Sequence, residues 1–206
     1  MGLYDRYVLP WLLDCACGQE AVRAQRARVV PLAQGRVLEL GVGSGLNLPL
    51  YDPARVVRVI GVDPAPEMLA RARRRADGLP FTVELVDVDA ATARVEPASV
   101  DTVVVTYSLC TIPDGVAALE VARRALRPGG RLLFCEHGRS AEPDVARWQE
   151  RITPVWRRIA GGCRLDRDVP AMLAAGGFAV DRLETFYLPR APRPMGWHFL
   201  GSAVAR

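Results

Sequence analysis

The chain has 206 residues, half of them hydrophobic, which is enough to bury the core of one domain. Its formal net charge of +4 comes from scattered basic residues, with no run longer than Arg73, Arg74, Arg75 and no interleaved aromatics, so nucleic-acid binding is unsupported. All 27 basic residues are arginine, which excludes a lysine Schiff base and a Walker-type phosphate lysine.

The chain begins "MGLYDRYVLPWLLDCACG", without a basic leader. Its apolar run is cut by Pro10 and Asp14, well short of the roughly 20 residues that a membrane span needs. A cytoplasmic protein is expected, with contact of residues 8 to 17 with a membrane surface as the lesser reading. Tyr4, Tyr7 and Trp11 fall on neighbouring helical positions, so the segment from Tyr4 to Leu13 is either a lid or an added packing helix.

Five apolar runs follow: "RVLELG" (Arg36 to Gly41), "VRVIGVD" (Val57 to Asp63), "FTVELVD" (Phe81 to Asp87), "DTVVVTY" (Asp101 to Tyr107) and "RLLFCEH" (Arg131 to His137). Continuous apolar runs of this length suit strands covered on both faces. Between them, "PEMLARARRRA" opens with Pro66 and Glu67 and sets Met68, Leu69 and Ala72 on one side. A second helical stretch opens near Asp114, spaces Val116, Leu119, Ala122 and Leu126 along one face, and ends before Pro128, Gly129 and Gly130. Strand alternating with helix predicts parallel βαβ units in a doubly wound α/β sheet. The last third differs: "FAVDRLETF" (Phe178 to Phe186) and "WHFLGSAVA" (Trp197 to Ala205) are strand-like, joined without a helix, and suit an antiparallel extension.

The first strand runs into Gly41, Gly43 and Gly45 and towards a helix start, baring backbone at the carboxyl edge of the sheet, where open α/β folds bind ligands. Asp63 ends the next strand 22 residues beyond Gly41, where a carboxylate can accept from ribose hydroxyls. A dinucleotide fingerprint would need glycine at position 46, which is Leu46, and Glu39 stands where a cationic amino-acid moiety fits better than a pyrophosphate. The loop therefore reads as a site for S-adenosylmethionine.

The stretches "VLELGVGSGLN", "IGVDPAPEMLARAR", "DVDA" followed by "ASVDTVVVTYSLC", and "ARRALRPGGRLLFCEH" resemble successive motifs of class I S-adenosylmethionine-dependent methyltransferases over residues 36 to 137. More narrowly, "VVVTYSLCTIPD", "FCEHGRS", "WQERITPVWRRIAGGCRLDRD" and "YDRYVLP" resemble the methyltransferase-like 7 group, which methylates thiols, and its bacterial relatives. The resemblance implies a Rossmann-like methyltransferase fold with a mostly parallel seven-stranded sheet and an antiparallel C-terminal strand. It implies one domain: a helical lid over residues 1–30, a cofactor core over 36–137, a substrate-covering insertion over 138–176 and a strand pair over 177–206. By the same resemblance Gly41, Gly43 and Gly45 face the methionine part of the cofactor, with Glu39 ordering the loop and its amino group and Asn47 completing the set. Asp63 takes the ribose, Pro64 and Met68 border the adenine, and Asp89 with the Ala90 N–H meets the ring, Asp87 being the competing acid. Thr106, Tyr107 and Ser108 end the fourth strand under the methyl group.

Methyl transfer from a sulfonium is an in-line displacement that needs alignment and exclusion of water more than acid–base chemistry. His137, at the ligand-binding edge, is the first candidate for proton transfer, with orientation of its loop as the rival role. Cys110 either lines the acceptor pocket or fills the core, Tyr107 is a further catalytic candidate, and His198, inside an apolar strand, reads as structural. The five cysteines are odd in number and hold no CxxC pair, so reduced thiols are expected and no metal site. Cys163 follows Gly161 and Gly162 in the segment expected to cover the acceptor, and Trp148, Gln149, Pro154 and Trp156 are where acceptor specificity is expected. The expected partner is a small-molecule acceptor, first a thiol. A phospholipid or other N- or O-acceptor, and a non-catalytic cofactor-binding module, remain open beside it.

Overall fold

A computed structural model describes residues 8–206; Tyr4 and Tyr7 lie outside that range. Two helices, α1 (Leu9–Cys17) and α2 (Glu20–Val29), precede the sheet. The central strands are β1 (Gly35–Leu40), β2 (Val56–Asp63), β3 (Thr82–Asp87), β4 (Val100–Thr106) and β5 (Leu126–His137). Helix α3 (Pro66–Ala76) joins β2 to β3, and α4 (Gly115–Ala125) joins β4 to β5. Helices α5 (Pro143–Ile159) and α6 (Val169–Ala175) lead to β6 (Phe178–Tyr187), and the single turn α7 (Arg193–Gly196) leads to β7 (Trp197–Ala205).

The seven strands lie in the order β3-β2-β1-β4-β5-β7-β6. Pairs from β3 to β5 are parallel, and β7 runs antiparallel between β5 and β6. This is the doubly wound Rossmann-like sheet with its antiparallel C-terminal strand. The strand periodicity of two splits the apolar runs between two cores. Leu38, Leu40, Val103, Val105, Leu132 and Phe134 pack under α4 and α6 on one face, with Ala118, Leu119, Ala122 and Leu173. Val37, Val59, Val104, Leu133 and Cys135 face Val29 of α2 and Ala72 of α3 on the other.

Two expectations shift. The glycine loop leads to a single 3-10 turn, Leu48–Leu50, rather than to a full helix, because the chain is already extended at Tyr51, whose hydroxyl is tied to Glu39. The buried face of α4 is centred on Ala118, Leu119, Ala122 and Ala125, while Val116 is half-exposed. Asp114 caps that helix by accepting from the Ala117 N–H at 2.9 Å, as its position suggested. Among the described residues no helix is long and apolar enough to cross a membrane.

The strand β7 depends on a glycine. β6 changes register between Val180 and Arg182, and a Cβ on Gly201 would lie 1.9 Å from the Arg182 carbonyl oxygen and 3.0 Å from the Phe134 ring. Gly201→Ala should destabilise the fold by about 1–3 kcal/mol, the usual cost of overpacking. An unchanged urea midpoint would show that the two strands are not held this closely.

Candidate active site

The glycine loop is held from below by a buried polar network. Glu39, 2% exposed at the end of β1, accepts from Asn47 Nδ2 at 2.9 Å and from the Tyr51 hydroxyl at 2.7 Å. Asn47 Nδ2 also donates to Thr106 Oγ1 at 2.9 Å, and Asn47 Oδ1 accepts from Arg26 Nη1 at 3.0 Å. Arg26, projecting from α2, donates to Thr106 Oγ1 as well and lays its guanidinium 4.8 Å from the Tyr107 ring centroid. Burial pushes the Glu39 carboxyl up to about 7, against the pull of the Tyr51 bond, the Arg26 charge and the Asn47 bond.

This arrangement corrects two assignments. Asn47 is fully buried and its amide is committed on both sides, so it supports the loop rather than facing a ligand. Thr106, 3% exposed, belongs to the same network. Arg26 was not singled out from the sequence, since an arginine among the nine other residues of a mixed helix gives no local sign that it is buried.

Above the network the backbone is bare. Gly43 has φ +53° with only Met68 Cε within 3.6 Å of where a Cβ would stand, and its N–H donates to Asp63 Oδ2 at 3.0 Å. Gly45, at φ +82°, presses on α3, with Ala72 Cα 3.0 Å from the missing Cβ. Ser108 packs against Gly41 and bonds its carbonyl at 3.1 Å. Asp63 Oδ1 accepts from the Ala65 N–H at 3.0 Å, so each carboxylate oxygen holds one backbone donor and keeps lone pairs free. Burial, and then the charges of Asp87 and Asp89, raise Asp63 above its ordinary value, while its two backbone bonds oppose them. Asp87 is exposed beside Asp63 in register, whereas Asp89 turns to accept from the Ala91 N–H at 2.8 Å. Ala90 is buried next to it and Pro64 is exposed.

Helix α1 is clamped onto this loop. Asp14 accepts from Ser44 Oγ, from Arg71 Nη1 at 3.2 Å and from both Arg75 Nη atoms at 3.0 Å, and Arg75 also bonds the Ser44 carbonyl. Burial would raise the Asp14 carboxyl, but the Arg75 and Ser44 bonds and the charges of both arginines hold it low.

The other half of the edge lies beyond β4 and β5. Tyr107 adopts φ +54°, a strained turn that sends the chain across the strand ends. Its ring lies between Arg26 and His198, and its hydroxyl accepts from the Cys135 thiol at 3.6 Å, on the α2 face of the sheet. Buried Glu136 accepts from the Ser108 and Leu109 N–H groups at 2.7 and 3.1 Å and fixes the loop that carries Cys110. Burial lifts Glu136 to about 7. His198 is 2% exposed, bonds the Gly196 carbonyl through Nδ1 at 2.7 Å and is pushed by burial down to about 4.

Cys110, His137 and Cys163 converge although the sequence spacing places no partner beside either cysteine. Their three ligand atoms lie within 4.8 Å of one another, and Cys163 Sγ is 3.4 Å from His137 Nε2. Cys110 sits 3% exposed and Cys163 9% exposed in an apolar surround of Leu165, Ile152, Trp156 and Met195. The Cys110 thiol bonded to its sulfur holds the Cys163 thiol low, with His137 helping, while Cys110 itself is driven up. Of the aromatic segment only Trp156 packs here. Trp148 and Pro154 are exposed, and Gln149 is a fully buried staple from Ser140 N to the Gly138 and Pro194 carbonyls.

A methyltransferase domain family matches residues 38–134. Human thiol S-methyltransferase TMT1B is 34% identical over 180 residues, which cover 84% of this chain and 72% of that one. The chain belongs to the class I S-adenosylmethionine-dependent methyltransferases, in the group of that relative. The methyltransferase is also 38% identical to phosphatidylethanolamine N-methyltransferase of Cereibacter sphaeroides, over 57% of this chain and 58% of that one. In fold it matches geranyl diphosphate methyltransferase in complex with S-adenosylmethionine, with a TM-score of 0.71 at 15% identity over 89% of this chain and 85% of that one. The residues present fit the cofactor: the bare backbone at Gly43, the lone pairs left on Asp63 and an acidic lining suit a cationic nucleoside better than a pyrophosphate.

Arg26→Met keeps the bulk of the side chain but leaves the Asn47 carbonyl and the Glu39 carboxylate without their cation. The methyltransferase should lose about 2–4 kcal/mol in urea unfolding. A loss below about 0.5 kcal/mol would show that the network does not hold the loop.

Proposed function

We propose that this methyltransferase methylates the sulfur of a small, partly apolar thiol. The carrying observation is the 3.4 Å contact between Cys163 Sγ and His137 Nε2 in an apolar, sulfur-rich wall at the acceptor edge. An edge that favours one thiolate beside an imidazole favours an acceptor thiolate too. The naming of the human relative as a thiol S-methyltransferase supports the same reading.

When bound, S-adenosylmethionine supplies an electrophilic methyl on a sulfonium. In this reading Gly41, Gly43 and Gly45 flank its methionine part, Asp63 accepts from its ribose, and Met68, Pro64 and the Asp89–Ala90 turn border its adenine. Ser108 sits between the glycine loop and Cys110 and aligns acceptor with methyl. His137 receives the acceptor's proton. The Asp14 clamp supports α1, the described start of the expected lid, as a cover that excludes water, with 138–176 covering the acceptor. The exposed Val8 just before α1 and Trp11 and Leu12 within it favour a second reading, an acceptor carried on a lipid surface.

Asp63→Ala should weaken S-adenosylmethionine binding by about 1.5–3 kcal/mol in titration calorimetry, the worth of hydrogen bonds to a charged group. Unchanged affinity would remove Asp63 from the ribose.

S-adenosylhomocysteine release, followed by mass spectrometry with small thiols, with amines or phenols, and with phosphatidylethanolamine vesicles, should appear with thiols. Release only with vesicles would replace the thiol reading by the lipid one.

A further inference from the structure

We propose that Cys110, His137 and Cys163 form a three-ligand site for a zinc ion, with the fourth position open to the acceptor. Tetrahedral zinc, with bonds of about 2.3 Å to sulfur and 2.0 Å to nitrogen, spaces two sulfurs about 3.8 Å apart and sulfur from nitrogen about 3.5 Å apart. The three donor atoms, all within 4.8 Å and with the sulfur–nitrogen pair at 3.4 Å, need only small side-chain adjustments to reach that geometry. Two thiolates and an imidazole select zinc among common divalent ions, and three protein ligands with an open position is the pattern of a catalytic rather than a structural site.

The scaffold is preorganised. Cys110 lies in the loop that Glu136 ties down, and its carbonyl accepts from the Arg164 N–H at 2.9 Å. Cys163 is held in a turn by its own N–H to the Ala160 carbonyl at 3.0 Å and by Gly162 N–H to the Arg157 carbonyl at 2.8 Å. His137 ends β5, paired with His198 of β7. Positive φ at Gly161 and Gly162, 60° and 85°, is what lets this turn bring its sulfur to the strand ends, with Gly162 against the Thr111 carbonyl. The two cysteines are buried while His137 is half-buried, so the open position faces the imidazole side.

The role of the ion deepens the thiol reading and rests on it. With zinc held there His137 is a ligand and does not take the proton: an incoming R–SH gives its proton to solvent and takes the fourth position as a thiolate. A sulfur lone pair then forms the new S–CH3 bond while the methyl–sulfonium bond breaks, its electron pair passing to the cofactor sulfur. The neutral thioether binds zinc weakly and leaves.

The full-length protein, reduced with a phosphine and free of chelator, should hold about one zinc per chain by plasma mass spectrometry. Zinc-edge X-ray absorption should report two sulfurs and one histidine nitrogen among the ligands. Loading should fall at least tenfold in Cys110→Ser and Cys163→Ser, with the exposed Cys15→Ser as the unaffected control and S-adenosylmethionine binding confirming that each variant folds. Cobalt(II) added to the metal-free protein should give a thiolate-to-cobalt charge-transfer band that changes when a small alkyl thiol is added. A reduced wild-type protein that takes up neither metal, or serine variants that load as well as wild type, would overturn the site. A cobalt band indifferent to the thiol would overturn the open position. Metal loading is read without turnover, so thiol methylation by a metal-free protein removes the zinc alone, and a loaded protein inert towards thiols removes the acceptor reading alone.

Discussion

The buried guanidinium of Arg26 is the interaction on which the cofactor edge depends. Glycines make the loop at Gly41 to Gly45 able to approach a ligand, but at three of its five positions they leave it no side chain with which to hold itself. The holding is done from beneath, by Asn47 and Glu39, and these amide and carboxylate groups need a donor and a cation in a place that water does not reach. Arg26 meets both needs and in the same stroke ties α2 to the end of β4 through Thr106 and the Tyr107 ring.

Around that anchor the strand ends divide the chemistry. Towards β2 and β3 the edge is acidic and bare, fit for a cationic nucleoside. Towards β4 and β5 it is apolar and rich in sulfur. Ser108 joins the two halves, bonded to the Gly41 carbonyl on one side and placed by Glu136 on the other. Under the proposed function two reactants of different character would meet there, the cofactor at the glycine loop and Asp63, and a thiol acceptor beside the sulfurs and the imidazole.

Legibility followed locality. Strand runs, the capping Asp114 and the acid at the end of β2 are patterns within a few residues, and they could be read directly. Asn47 was legible as a site residue but not as a buried support, because its depth depends on Arg26 reaching it from 21 positions earlier. Asp14 looked only like a break in an apolar run. Its clamp on Arg71 and Arg75 needs α1 and α3 to lie side by side, and nothing near it in the chain announces that. Gln149 shows the reverse error: an aromatic neighbourhood suggested acceptor contact, whereas the amide is consumed in joining three loops.

By itself the sequence determined the alternation of elements, the parallel core with its antiparallel tail, and the glycine loop with its paired acid, because each follows from side-chain period, turn chemistry and the reach of a short backbone. Only the tertiary structure decided which charges are buried and which sulfurs meet. Cys110, His137 and Cys163 are separated by 27 and 26 positions, and their convergence is set by two strand ends and a glycine turn folding onto one another. No local pattern carries that information, since it is created when the turn after α5 folds against the loop that follows β4.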